Sequence, residues 1–98
     1  MEHRKNLRFE LRLPLEIVGS RAPLSQGETK NVSSCGVLFT AKARVAVGEP
    51  IEYLITLPKA RGTRAAVRLH CVGTVVRNDE ARKGEAPEFA ATLERYEF

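Results

Sequence analysis

Leu11-Arg12-Leu13-Pro14-Leu15-Glu16-Ile17 alternates apolar and polar side chains without a break. Successive side chains of an extended chain point to opposite faces, so this period of two gathers four aliphatics on one side and leaves the charges and Pro14 on the other. That is the pattern of a half-buried strand. Pro14 lacks an N–H and therefore belongs on an edge or near the strand's beginning. The same period returns where Ile51, Tyr53, Ile55 and Leu57 alternate with Glu52 and Thr56, and Pro58 stops the run. Between these two strands, Gly19 to Gly27 reads as a turn or loop leading into a polar strand around Glu28 to Ser33. Gly36 then opens the short apolar strand Val37-Leu38-Phe39-Thr40.

Beyond Pro58, the alternation Val67, Leu69, Cys71 loses phase near Gly73 and resumes as Val75 and Val76, which predicts one strand from Val67 to Arg77 with a bulge or bend. The tail Glu88 to Phe98 fits a strand through Phe89, Ala91 and Leu93, and helical spacing through Phe89, Leu93 and Tyr96; the strand is taken. No other segment sustains helical periodicity over about ten residues. Strands separated by Gly/Pro-rich turns predict an all-β fold, an antiparallel sandwich or barrel, with no long helix.

The chain has 98 residues, 26 of them Leu, Ile, Val or Phe, which is enough apolar material for one modest core. It is too short to wall a deep catalytic cleft as well. Two cysteines, Cys35 and Cys71, do not make a secreted disulfide framework, and the charged start MEHRKNLRFELRLPLEI is not a signal peptide. With no apolar run near 18 residues, membrane insertion is not expected, and a reducing cytoplasm is. The formal charge of +4 comes from 16 Lys and Arg against 12 Asp and Glu, and it points to an anionic partner. The excess sits in two places, the first dozen residues and Lys59 to Arg68.

Two segments have the chemistry to meet such a partner. In His3-Arg4-Lys5-Asn6-Leu7-Arg8, two arginines stand four apart just before the first strand. A guanidinium stacks on flat rings and donates two parallel hydrogen bonds, to phosphate or to guanine O6 and N7. A solvated basic arm would look the same. In Asn31-Val32-Ser33-Ser34-Cys35-Gly36, the amide and the hydroxyl two residues apart fall on one side of an extended chain, and Gly36 permits a positive backbone angle or a close approach. These residues also suit a plain turn.

Taken together, Arg4-Lys5-Asn6-Leu7-Arg8 followed by Asn31-Val32-Ser33-Ser34-Cys35-Gly36 resembles the RxxxR and [D/N]xSxxG pair of the PilZ domain family, bacterial receptors for cyclic di-GMP. Gly48 with the run ending Leu57-Pro58, and Val72-Gly73-Thr74-Val75-Val76-Arg77, look like the family's middle and fifth strands. The resemblance implies a six-stranded antiparallel β-barrel of split-barrel type over residues 11–98, preceded by a mobile basic arm over 1–10. It implies that Arg4 and Arg8 embrace the nucleotide, that Asn31 and Ser33 hydrogen-bond a guanine, and that Gly36 keeps the turn compact. Lys5 and His3 are neighbours of that site. Cyclic di-GMP is then a ligand rather than a cofactor, and a downstream protein partner reads the signal. The chain departs from the family in lacking a glycine in Glu88-Phe89-Ala90-Ala91-Thr92-Leu93.

Other readings are weaker on the residues. Ser33, His70 and Asp79 can be written as a triad, but no nucleophile-elbow pattern surrounds Ser33, so catalysis is not expected. His3, His70, Cys35 and Cys71 lack the paired spacings of a metal site. A small basic barrel that binds single-stranded nucleic acid needs exposed aromatics, and Phe39, Tyr53 and Phe89 fall on core faces, leaving Phe9, Tyr96 and Phe98. DNA is not expected as a partner. A PilZ-like protein-interaction adaptor that binds no nucleotide is the remaining alternative.

Overall fold

The computed structural model describes residues 9–19, 25–43, 45–58, 67–79 and 86–98. Within them lie seven strands: β1 (Pro14–Gly19), β2 (Ser25–Val32), β3 (Gly36–Ala41), β4 (Pro50–Leu57), β5 (Val67–Asp79), β6 (Glu88–Thr92) and β7 (Arg95–Glu97). Every pairing is antiparallel. The order β4-β1-β2-β3-β6-β5 closes on itself because β5 also pairs with β4, so six strands form a barrel. Closure leaves those six without an open edge. No helix among the described residues is long and apolar enough to cross a membrane.

β5 makes closure possible by its length. Its 13 residues serve two neighbours in succession, β4 along Val67–Thr74 and β6 along Val75–Asp79. The interior is filled by the alternating positions read from the sequence. Leu15 and Ile17 of β1, Ile51, Tyr53 and Ile55 of β4, and Phe89 and Ala91 of β6 are all buried. Phe39 centres the aromatic part of this core, 5.6 Å from the Phe89 ring and 6.2 Å from Tyr53. Aromatic pairs at such separations add stabilisation beyond the area they bury.

β1, β2 and β5 each differ in detail from their reading in the sequence. Pro14 is the first residue of β1, where its missing N–H costs nothing, and Leu11 to Leu13 are instead fastened to β2 through Thr29. The Thr29 hydroxyl donates to the Leu11 carbonyl and accepts from Leu13 N–H at 2.8 Å, while Thr29 N–H donates to Leu13 O at 2.9 Å. β2 begins at Ser25, not near Glu28, because pairing with β1 runs to Ile17↔Ser25. β5 keeps its phase through Gly73, with Cys71, Gly73 and Val75 all inward; the slip comes at Val76. Gly73 preserves the phase by having no side chain: a Cβ there would lie 1.8 Å from the Thr92 carbonyl oxygen, which crosses over it.

The tail is two strands. β6 ends at Thr92, and β7 runs beside His70, Cys71 and Val72 of β5, whose other edge is paired with β4. The break is held by Glu94, whose carboxylate accepts from the hydroxyls of Thr92 at 2.6 Å and Thr74 at 2.8 Å. Those two hydrogen bonds, Thr92 first, hold the Glu94 carboxyl below its ordinary range. Tyr53 reaches the same corner from inside, its hydroxyl donating to Thr92 O at 3.0 Å.

Candidate functional site

Perfect alternation would bury the wrong residues here. Thr29 points inward, so an unbroken β2 would turn Asn31 inward too; Val75 points inward, so an unbroken β5 would bury Arg77. Each strand instead carries one extra residue. The register with β3 passes from Thr29↔Phe39 to Asn31↔Leu38, bulging at Lys30, and the register with β6 passes from Val75↔Ala91 to Arg77↔Ala90, bulging at Val76. A bulge re-aims the side chains that follow it. Here the two bulges bring Asn31 and Arg77 to the outer face.

They arrive on one ladder row. Asn31 pairs with Leu38, Leu38 with Ala90, and Ala90 with Arg77, across β2, β3, β6 and β5. Three inter-strand spacings put the two ends about 14 Å apart. Between them Ala90 is small, and the row forms the floor of a cleft of about 270 Å³ with Asn31, Ser33 and Gly36 on one side and Val76 and Arg77 on the other. Thr40, Glu88 and Asp79 occupy the next row. Its carboxylates are matched by the bulged strands' own cations: Lys30 Nζ lies 2.8 Å from Glu88, and Arg77 is 2.6 Å from Asp79.

Ser33 closes the β2–β3 hairpin. Its hydroxyl accepts from Cys35 N–H and Gly36 N–H, both at 3.2 Å, and lies 3.2 Å from the Gly36 carbonyl, to which Ser33 N–H also donates at 2.9 Å. Gly36 does not use a positive backbone angle; Gly48, at φ +92°, does. The requirement at Gly36 is close approach, because a Cβ would stand 2.8 Å from the Ala91 carbonyl of β6. Its neighbour in space is therefore a strand of the barrel.

The stretch after the two arginines is tied to this turn. Phe9 N–H donates to Val32 O and Val32 N–H to Phe9 O, each at 2.9 Å, so the chain runs antiparallel to the residue between Asn31 and Ser33. Arg4, Arg8, Lys5 and His3, and with them most of the expected arm, lie outside the described residues. Arg77 and Val76 are cleft residues that sequence reasoning missed. The loss of phase in β5 was the available signal, but alternation cannot say which residue is the extra one.

The remaining constellations separate. His70 Nε2 is 2.9 Å from Glu52 and its Nδ1 3.8 Å from Glu97, while Asp79 holds Arg77 and Ser33 holds the hairpin, so the three form no relay. Cys71 is buried in the barrel and Cys35 is exposed at the turn. Phe39, Tyr53 and Phe89 are core; Phe9, Tyr96 and Phe98 are exposed. A larger groove of about 690 Å³, lined in part by Val47, Pro50, Glu49 and Glu52, holds no motif residue, and its glutamates oppose an anionic ligand.

No curated protein matches the sequence. The fold is similar to the solved structure of the Bacillus subtilis inhibitor of motility MotI/DgrA, with a TM-score of 0.79 at 16% identity, over 99% of this chain and 45% of that one. The chain thus spans about half the length of that protein, and at this identity the likeness speaks for the fold. The family model of the PilZ domain matches residues 2–96, nearly the whole sequence, and the chain belongs to the PilZ domain family.

Proposed function

We propose that the protein is a non-catalytic, cytoplasmic bacterial receptor for cyclic di-GMP, gripping the nucleotide between Arg4 and Arg8 of the N-terminal arm and the strand end that carries Asn31, Ser33 and Gly36. The observation that carries this reading is the Phe9–Val32 bridge. It leaves Arg8 one residue from a fixed point beside Asn31 and Ser33, although the two motifs are more than twenty residues apart in sequence. Two guanines and two phosphates match guanidinium groups over an amide and a hydroxyl. The cleft alone, at about 270 Å³, is smaller than the roughly 300–1,000 Å³ of sites that enclose a small ligand, so the arm serves as the second wall.

Residues 1–8 carry little apolar surface, and ligand orders them over the cleft. The changed surface beside the barrel is what a partner protein reads. Ser33 keeps the hairpin closed with its two accepted hydrogen bonds, and its hydroxyl proton turns from Gly36 O toward guanine. Lys5 and His3 lie beside the site as secondary contacts.

Calorimetric titration of cyclic di-GMP into wild type and Arg8→Ala, with GMP as a control, tests the reading. Saturable binding by wild type that is lost in Arg8→Ala and absent for GMP is the expected result. No heat from wild type, with no thermal shift, overturns it. Limited proteolysis tests the ordering: the arm is expected to be cut more slowly with saturating nucleotide, and equal rates exclude the switch.

A further inference from the structure

Arg77 belongs to neither motif, yet the fold takes trouble to expose it. In a strand whose Cys71, Gly73 and Val75 point inward, only the extra residue Val76 keeps Arg77 out of the core, and the same device at Lys30 turns Asn31 outward on the same row. Two independent irregularities thus aim two polar groups into one cleft from opposite ends. The floor between them, Leu38 and Ala90, carries no hydrogen-bonding side chain. A flat ring system with polar groups at both ends fits such a floor.

The guanidinium has a carboxylate on it. Asp79 Oδ2 lies 2.7 Å from Arg77 Nε and 2.6 Å from its terminal nitrogen, so one acceptor takes the two-pronged edge that phosphate oxygens also take. Both side chains are about half exposed, at 58% and 46%. An exposed pair of this kind contributes little and is easily exchanged. Resting on the receptor reading above, we infer that Arg77 is a third arginine of the nucleotide site, one that leaves Asp79 to engage a phosphate or guanine edge of cyclic di-GMP at the β5 end of the cleft. Asp79 keeps the guanidinium extended along β5 between binding events. Ligand then bridges β2 and β5, and the acidic row of Glu88 and Asp79 bounds it on the side away from the Ser33–Gly36 turn.

Titrations of cyclic di-GMP into wild type, Arg77→Ala and Asp79→Ala decide the matter, because the two substitutions move affinity in opposite directions. Loss of a charge-assisted contact weakens binding by about tenfold to a hundredfold in Arg77→Ala. Release of an exposed ion pair, and of one negative charge near the site, tightens binding by about two- to fivefold in Asp79→Ala. A merely structural Arg77–Asp79 pair would weaken both alike. Thermal melts accompany each titration, and Arg77→Gln, which keeps the stem and loses the charge, repeats the first test should Arg77→Ala melt early. Wild-type affinity in a folded Arg77→Ala or Arg77→Gln, or weakened binding in Asp79→Ala, overturns the role of Arg77 while leaving the receptor reading intact. Absence of binding by wild type overturns both.

Discussion

Phe9 and Val32 exchange both of their backbone hydrogen bonds, each 2.9 Å long, and this one bridge joins the segment after the arginine pair to the middle of the Asn31–Ser33 motif. It fixes where the arm starts. Phe9→Pro removes the donor to Val32 and is expected to weaken cyclic di-GMP binding by about two- to tenfold, since one lost hydrogen bond is worth about 0.5–1.5 kcal/mol and the arginines are then delivered from a less certain point. The melting temperature is expected to fall by about 2–12 °C. Calorimetry and a thermal melt measure both; unchanged affinity would show that the bridge does not position the arm.

Thr29 stitches the same edge from inside. It is fully buried, and its hydroxyl joins Leu11 O and Leu13 N–H. Thr29→Val keeps the shape and strands both backbone groups, at a cost of about 1–3 kcal/mol. Urea denaturation with an unchanged m-value is the check, and a loss below about 0.5 kcal/mol would mean that water takes the hydroxyl's place.

Gly73 faces a harder constraint. With the Thr92 oxygen 1.8 Å from any Cβ, Gly73→Ala must push β6 off β5. Overpacking of this kind costs about 1–3 kcal/mol or more, and the expected result is a marked drop in the urea midpoint. A midpoint equal to wild type would show that the crossing yields freely.

Alkali should loosen the barrel. Burial pushes the Cys71 thiol up to about 11 from an ordinary 9.0, and burial, then the neighbouring Cys71, pushes the Tyr53 hydroxyl up as well. For an acid whose folded value is raised, the contribution to stability is whole below the unfolded value and is lost as pH rises through the folded one. Stability is therefore expected to fall between about pH 9 and pH 11 through Cys71, and from about pH 10 upward through Tyr53, whose ordinary value is 10.0. Comparing urea midpoints of wild type and Cys71→Ala across that range isolates the thiol; parallel curves would contradict its part.

Legibility in the sequence followed the local physics. Where alternation is local, as at Leu15 and Ile17 or Ile51, Tyr53 and Ile55, side-chain period named the buried residues correctly. Strand ends were less readable, because they depend on the partner: β2 extends to Ser25 only because β1 lies opposite. The split of the tail at Glu94 depends on Thr74, twenty residues away, and could not be seen in Glu88–Phe98 itself. At the site, Asn31, Ser33 and Gly36 were legible as a motif, but their physical duties were not. Ser33 turned out to clasp its own hairpin, and Gly36 to make room for β6. Arg77 was invisible as a cleft residue because its direction is set by a bulge whose position only pairing with β6 defines.

The wall order has a consequence for how the chain is made. Emerging from a ribosome, the first five strands can assemble only into an open sheet, β5-β4-β1-β2-β3, with a bare edge on β3 and another on β5. The five-residue β6 is the stave that joins those edges, so closure waits until Thr92 is free. Pairings so distant in sequence form late, and bare edges recruit other chains in the meantime. A chain cut after Asp79 keeps a vacant slot matched to β6 and is poised to accept that strand from a neighbour, and two slowly closing molecules are poised to trade theirs.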